Sequence, residues 1–167
     1  MSDSQQVRNR VAELLTTGLI GDAPALEGAR VRQPIPVADP ASGRLHSWFV
    51  PIAWGDTLVG FAELRPDLEF VRYSSFQRRP GDTTGLPDLT DWTDPEKIRL
   101  QAARVSRPDE TLGEPILTYD REPTRLAWVV TATDPAGRSR TLYVAGDYVY
   151  EQPADPHKPE VGGRPNT

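Results

Sequence analysis

The residues able to do acid–base or nucleophilic chemistry are few. The chain has 167 residues, two histidines and no cysteine. Thiol nucleophiles, disulfides and cysteine zinc sites are therefore excluded. His157 lies beside Lys158 in a proline-rich stretch and reads as a solvated side chain. His46 falls in a strand-like run next to Trp48 and is the one histidine that a Ser/His/Asp-type site would use. Its imidazole would need a carboxylate to orient it, either Asp56 in the next turn or Glu63 on the next strand. No Gly-x-Ser-x-Gly elbow occurs. A catalytic reading thus rests on His46, Asp56 and Tyr73 working by general acid–base chemistry without a cofactor. A half-exposed strand histidine with no catalytic role is the plainer reading and carries more weight.

The remaining charges point away from most ligand classes. Asp109-Glu110, and Asp120 with Glu122, read as solvating loop carboxylates. Arg78-Arg79 is a short basic spot in a chain of net charge -5, which argues against a nucleic-acid partner. The glycines never take the spacing of a phosphate loop or a dinucleotide fingerprint. No metal site and no cofactor are expected. No apolar run approaches the roughly 18 residues of a membrane span, so no membrane association is expected. Met1–Gln6 lacks a basic segment leading into an apolar one, and a cytoplasmic location is the expectation.

Aromatic residues supply the binding candidates. Trp48 and Trp128 sit within strand-like runs and read as core. Trp54 stands in a turn with Gly55-Asp56, and Trp92 precedes a helix start. A tryptophan in such a place either packs its loop onto the body or helps form a groove. Tyr148 and Tyr150 fall on a short last strand which, as a sheet edge, would accept a partner strand.

Positioning these residues requires helices and strands, and the turn formers show where the elements end. The chain holds 13 Gly and 17 Pro. One group lies beyond Glu151, one between Arg78 and Thr93, and the rest separate short strand-like runs. Val7, Val11, Leu14 and Leu15 share one helix face, with Ser4 as N-cap and Gly18 as stop. Asp94-Pro95-Glu96 starts a second helix carrying Ile98, Ala102 and Val105 on one face. After the first helix, strands are expected near Val31–Val37, Leu45–Ile52, Thr57–Leu64 and Leu68–Ser74. After the second they are expected near Pro115–Tyr119, Arg125–Thr133, Arg140–Ala145 and Tyr148–Glu151. The short turns between them require antiparallel neighbours.

The two halves share one order, and Trp48-Phe49-Val50 is echoed by Trp128-Val129-Val130. The fold class expected is α+β, with two tandem helix-on-antiparallel-sheet units packed together. The first unit spans 1–77, a linker 78–93, the second unit 94–151 and a disordered tail 152–167. Leu126, Trp128, Val130 and Ala132 alternate onto one face of their strand, where the preceding helix would cover them.

In the second half, Pro115-Ile116-Leu117-Thr118-Tyr119, Arg125-Leu126-Ala127-Trp128-Val129-Val130, Leu142-Tyr143-Val144 and Tyr148-Val149-Tyr150 follow in that order. This stretch resembles a PepSY-type domain, and the first half resembles it more faintly through Trp48-Phe49-Val50. The family's Asp-Ala-x-Thr-Gly turn is replaced by Ala145-Gly146-Asp147. The resemblance implies a cystatin-like helix-on-sheet fold and a binding role such as protease inhibition. The resulting expectation is a non-enzymatic accessory protein that holds a peptide or protein partner through a sheet edge or groove. A small cofactor-free enzyme and a homodimeric structural subunit are the alternatives.

Overall fold

The structure is a computed structural model that describes residues 4–18, 20, 26–79 and 81–151. The stretch 152–167, expected as a tail and containing His157, lies outside the described residues. The chain is α+β, with two antiparallel sheets of five strands each and few helices. It divides after Trp92 into two compact units.

In the first unit, helix α1 (Ser4–Thr16) is followed by strands β1 (Arg30–Val31), β2 (Ile35–Ala38), β3 (Leu45–Trp54), β4 (Thr57–Leu64) and β5 (Phe70–Ser75). The helix buries Val7, Val11 and Leu14, the i, i+4, i+7 stripe that its sequence dictates. These three join Val50, Ile52, Ala62 and Leu64 of β3 and β4 in one apolar cluster. Truncating Leu14 to Ala there costs about 2–5 kcal/mol, the usual range for a buried leucine. The expected strand Val31–Val37 is in fact two. Both β1 and β2 pair antiparallel with β3, separated by a break that ends at Pro34. Proline has no N–H for the ladder, so the interruption follows from its chemistry.

The segment 78–93, expected as a linker, returns to the sheet it leaves. The Phe76 N–H bonds Val59 at 2.9 Å, the chain loops out, and the Leu58 N–H then bonds Pro87 at 3.0 Å. The Leu89 N–H bonds the Asp56 carbonyl at 2.7 Å, and a short helix, α2 (Leu89–Thr93), follows. Leu86 packs against the α1 cluster.

In the second unit, Asp94 caps α3 (Pro95–Ala103), accepting the Glu96 N–H at 3.0 Å, with Pro95 in the first turn. Strands β6 (Thr111–Leu112), β7 (Ile116–Tyr119), β8 (Leu126–Thr133), β9 (Ser139–Ala145) and β10 (Tyr148–Tyr150) follow. Ile98 and Ala102 are buried as expected. Val105 is not, because the helix ends at Ala103 and leaves Val105 45% exposed. In β8, Trp128, Val130 and Ala132 are buried, Val129 and Thr133 are half-buried and Thr131 is exposed, but Leu126, expected on the covered face, is only half-buried and Ala127 on the other face is buried.

The connectivity of the two units is the same. In each, two short strands pair with the long third strand, and the fourth and fifth add on its other side. β1 and β6 pair with the end of the long strand, and β2 and β7 with its beginning.

Candidate functional site

The residues proposed for acid–base chemistry do not converge. His46 is half-buried near the start of β3, and Asp56 is exposed in the turn after that strand. At ~3.3 Å per strand residue they are about 30 Å apart along the chain. His46 is also the extra residue of a β-bulge, because Val37 pairs with Ser47 and Ala38 with Leu45. Tyr73 packs with the α1 cluster on β5, the last strand in the sheet order, opposite Ala62. Glu63, the other carboxylate considered for His46, has both oxygens engaged elsewhere. Ser47 Oγ donates to Oε1 at 2.7 Å and Arg72 Nε to Oε2 at 2.7 Å.

The tryptophans take packing roles. Trp54 ends β3 instead of lying in the turn, and its Nε1 donates to the Glu27 carbonyl at 2.9 Å. Trp92 sits on α2 and meets Phe76 edge-on at 5.2 Å between ring centroids. Trp128 is buried, and Trp48 is partly buried against the α1 cluster.

Two of the polar clusters lie instead on the sheet faces turned away from α1 and α3. Val50 and Ala62 point toward α1, so their strand neighbours Phe49 and Glu63 point the other way. Cross-strand registers then align a row, Ile35–Phe49–Glu63–Arg72, across four strands. The matching row of the second unit is Ile116–Val129–Tyr143–Tyr150.

The first row is a covered ion pair. The Glu63 side chain is 2% exposed, and Arg72 is held between it and the Phe61 ring, 5.1 Å from the ring centroid. Phe49 and Phe61 lie 4.7 Å apart, and Phe76 continues the aromatic run to Trp92. The Arg72 Nη2 atom is buried without a hydrogen-bond partner.

The second row is built from tyrosines. The Tyr143 and Tyr150 rings stack at 5.2 Å with an interplanar angle of 9°. The Tyr150 hydroxyl donates to Asp120 Oδ2 at 2.9 Å, and Arg125 Nη2 donates to the same oxygen at 3.3 Å. Asp120 is fully buried, and its Oδ1 has no hydrogen-bond partner. Burial, the hydrogen bond to Asp120 and the charge of that carboxylate all hold the Tyr150 phenol well above its ordinary pKa. Burial first, and then the Asp120 charge, raises Tyr143 as well. A hydrogen bond to a charged group contributes roughly 1.5–3 kcal/mol, so the Tyr150–Asp120 bond is a principal fastening of a three-residue strand. Tyr148, two residues earlier, is 60% exposed, and Ile116 at the far end of the row is 55% exposed.

A third polar cluster is a clamp between the α3–β6 connection and β9. Arg140 donates from Nε and Nη2 to the two Glu110 oxygens at 2.8 and 2.7 Å, and from Nη2 to the Val105 carbonyl. The bidentate pair, with the Arg107 N–H as second donor, brings the Glu110 carboxyl from 4.5 to about 2. Arg140 also meets Glu151.

Asp120 and Glu110 correct the expectation that these loop carboxylates merely solvate the surface. For Asp120 the signal was alternation, since 116, 118 and 120 fall on one face and the Asp120 N–H extends the β7–β8 ladder to the Arg125 carbonyl. Glu110 offered no local signal.

No family model, curated protein or solved structure matches the chain. Among the described residues no cluster of His, Asp or Glu is arranged to hold a metal ion. No helix among them is long and apolar enough to cross a membrane.

Proposed function

We propose that the chain is a non-enzymatic binding protein that holds an extended peptide or protein segment on the second sheet. We read its two units as PepSY-type, cystatin-like helix-on-sheet domains. Support for that class comes from the shared connectivity and from Leu126-Ala127-Trp128-Val129-Val130, with Trp128 on the buried side of its strand. The observation that carries the binding role is the face bearing Ile116, Val129, Tyr143 and Tyr148. It is apolar and aromatic, and Ile116 and Tyr148 at its two ends are more than half exposed. Aromatic side chains of this kind supply contact area at low entropic cost and dominate binding hot spots. The face ends at β10, an edge strand, so a partner strand pairing there would bring its side chains beside Tyr148.

Selection of a random peptide library on the full chain tests this. Peptides that bind the wild type should lose at least tenfold in affinity for the double variant Ile116→Arg/Tyr148→Arg. Selected peptides that bind both proteins equally would remove this face from the function.

A further inference from the structure

The last strand of the second unit is short and lightly fastened. β10 has three residues, one strand neighbour, and a two-residue turn, Gly146-Asp147, joining it to β9. Gly146 has φ 61°, which a hairpin of this length requires at its first turn residue. Neither Val149 nor Tyr150 is fully buried, and Tyr148 is exposed, so little apolar surface holds the strand. Its specific fastenings are the Tyr143–Tyr150 stack and the Tyr150–Asp120 hydrogen bond. A contact between Glu151 and Arg140 adds to them, but Arg140 is already clamped by Glu110 and the Val105 carbonyl and does not depend on it.

We propose that β10 is a releasable strap, latched by the hydrogen bond from Tyr150 to the buried Asp120. The anchoring half of the latch belongs to the body of the unit. Asp120 follows β7, and its N–H is bonded to the Arg125 carbonyl at 2.8 Å. Arg125 Nη2 still neutralises the carboxylate when Tyr150 leaves. Asp120 Oδ1 is without a donor even in the closed arrangement. Release therefore breaks the Tyr150–Asp120 hydrogen bond, the exposed Glu151–Arg140 contact, one ring stack and a three-residue ladder, while the cores around Trp128, Val130 and Leu142 stay packed. It uncovers the Tyr143 ring and the Asp120 carboxylate on one face. Segments with few buried apolar contacts open at the low end of a protein's range of local stabilities. The corresponding strand of the first unit, β5, has six residues and cannot act in this way. It runs on through Phe76 into a segment bonded back to β4. The proposal rests on the binding reading only for what the uncovered face would receive.

Amide hydrogen exchange on the full chain, followed by NMR, tests the strap without any partner. In the wild type the β10 amides should exchange by an opening that responds little to added urea, and that is faster than the opening at Val130 and Leu142. Tyr150→Phe should speed exchange in β10 roughly ten- to hundredfold, the equivalent of one charged hydrogen bond, and leave Val130 and Leu142 unchanged. Asp120→Asn, which keeps an acceptor, should have a smaller effect in the same place. If the wild-type β10 amides exchange only with global unfolding, the strap is wrong, whether or not the variants fold. An unchanged β10 in Tyr150→Phe, or a rise shared equally by β8 and β9, overturns it too. A strap that fails here leaves the peptide selection untouched, and a failed selection leaves this exchange result standing.

Discussion

The rows Ile35–Phe49–Glu63–Arg72 and Ile116–Val129–Tyr143–Tyr150 cross the same four strand positions in two sheets of one connectivity. In the first sheet every β4 residue after Thr57 is buried, so both faces are covered. A charge on the second face must then be paired, and Glu63 is bonded to Ser47 and Arg72. In the second sheet, burial alternates from Trp128 along β8 and from Thr141 along β9, and one face stays half open. There a phenol suffices at the last position, with its hydroxyl turned to Asp120 and the flat of its ring on Tyr143. The same backbone plan thus tolerates an ion pair or a stacked phenol, and the extent of cover decides which one the chain uses.

The largest effect should come from breaking the covered pair. Glu63→Leu strands the Arg72 guanidinium and should cost roughly 3 kcal/mol, the low end of the range for a half-broken buried pair, because Arg72 is partly exposed. Adding Arg72→Leu should recover most of the loss, since an apolar pair fits an aromatic surround. Urea unfolding followed by tryptophan fluorescence reads both. If the double variant is no better than the single, Glu63 does more than neutralise Arg72.

A second contrast lies at matched positions of β4 and β9. Gly60 pairs with Ile52, and Arg140 with Ala132. A Cβ on Gly60 would stand 2.7 Å from the Ser74 carbonyl oxygen and 2.9 Å from the Tyr73 hydroxyl. Gly60→Ala should therefore cost about 1–3 kcal/mol by overpacking, measured as a fall in the urea midpoint. Tyr73→Phe should not rescue it, because the closer contact is backbone. At the matched site the second unit carries a long arginine and relies on Glu110 instead. That dependence is acid-sensitive. The folded Glu110 carboxyl lies near 2 against 4.5 ordinarily, so its contribution is complete above about pH 4.5 and is lost as the pH falls toward 2. Protection of the β8–β9 amides should weaken between pH 5 and pH 3, and Glu110→Gln should flatten that dependence.

The elements were largely legible in the sequence because their signals are local. Asp94-Pro95 caps its own helix, the Val7–Val11–Leu14 stripe is a single helix face, and the turn formers bound the strands. The polar positions were not legible, because what buries them is distant in sequence. Glu110 is clamped by an arginine 30 residues on, and Tyr150 reaches Asp120 across 30 residues. Glu63 appeared only as a neighbour for His46, whereas the register turns it toward Ser47 and Arg72. The α2 helix was hidden by the Asp and Pro residues around it, which signal a loop wherever no tertiary contact is known. The acid–base trio is not brought together, because the length of β3 separates His46 near its start from Asp56 in the turn beyond its end.

The smallest predicted effect on stability separates two tyrosines of one strand. Tyr148 and Tyr150 project to the same face of β10, but only Tyr150 has a buried acceptor and a stacked ring. Tyr148→Ser removes a ring that is 60% exposed and should change stability by no more than about 0.5 kcal/mol, as for other exposed surface positions. Tyr150→Ser should cost several times as much and loosen the strand. In alkali the two should also separate by chemistry. The Tyr150 phenol is held above its ordinary range, so its contribution is complete below about pH 10 and is lost as the pH rises past that value. Tyr150→Phe should remove this alkaline loss and Tyr148→Phe should not, as read by thermal melts across pH 8 to 11. Equal responses from the two variants would mean that Asp120 does not distinguish them, and the second row would then be a plain aromatic surface with no fixed end.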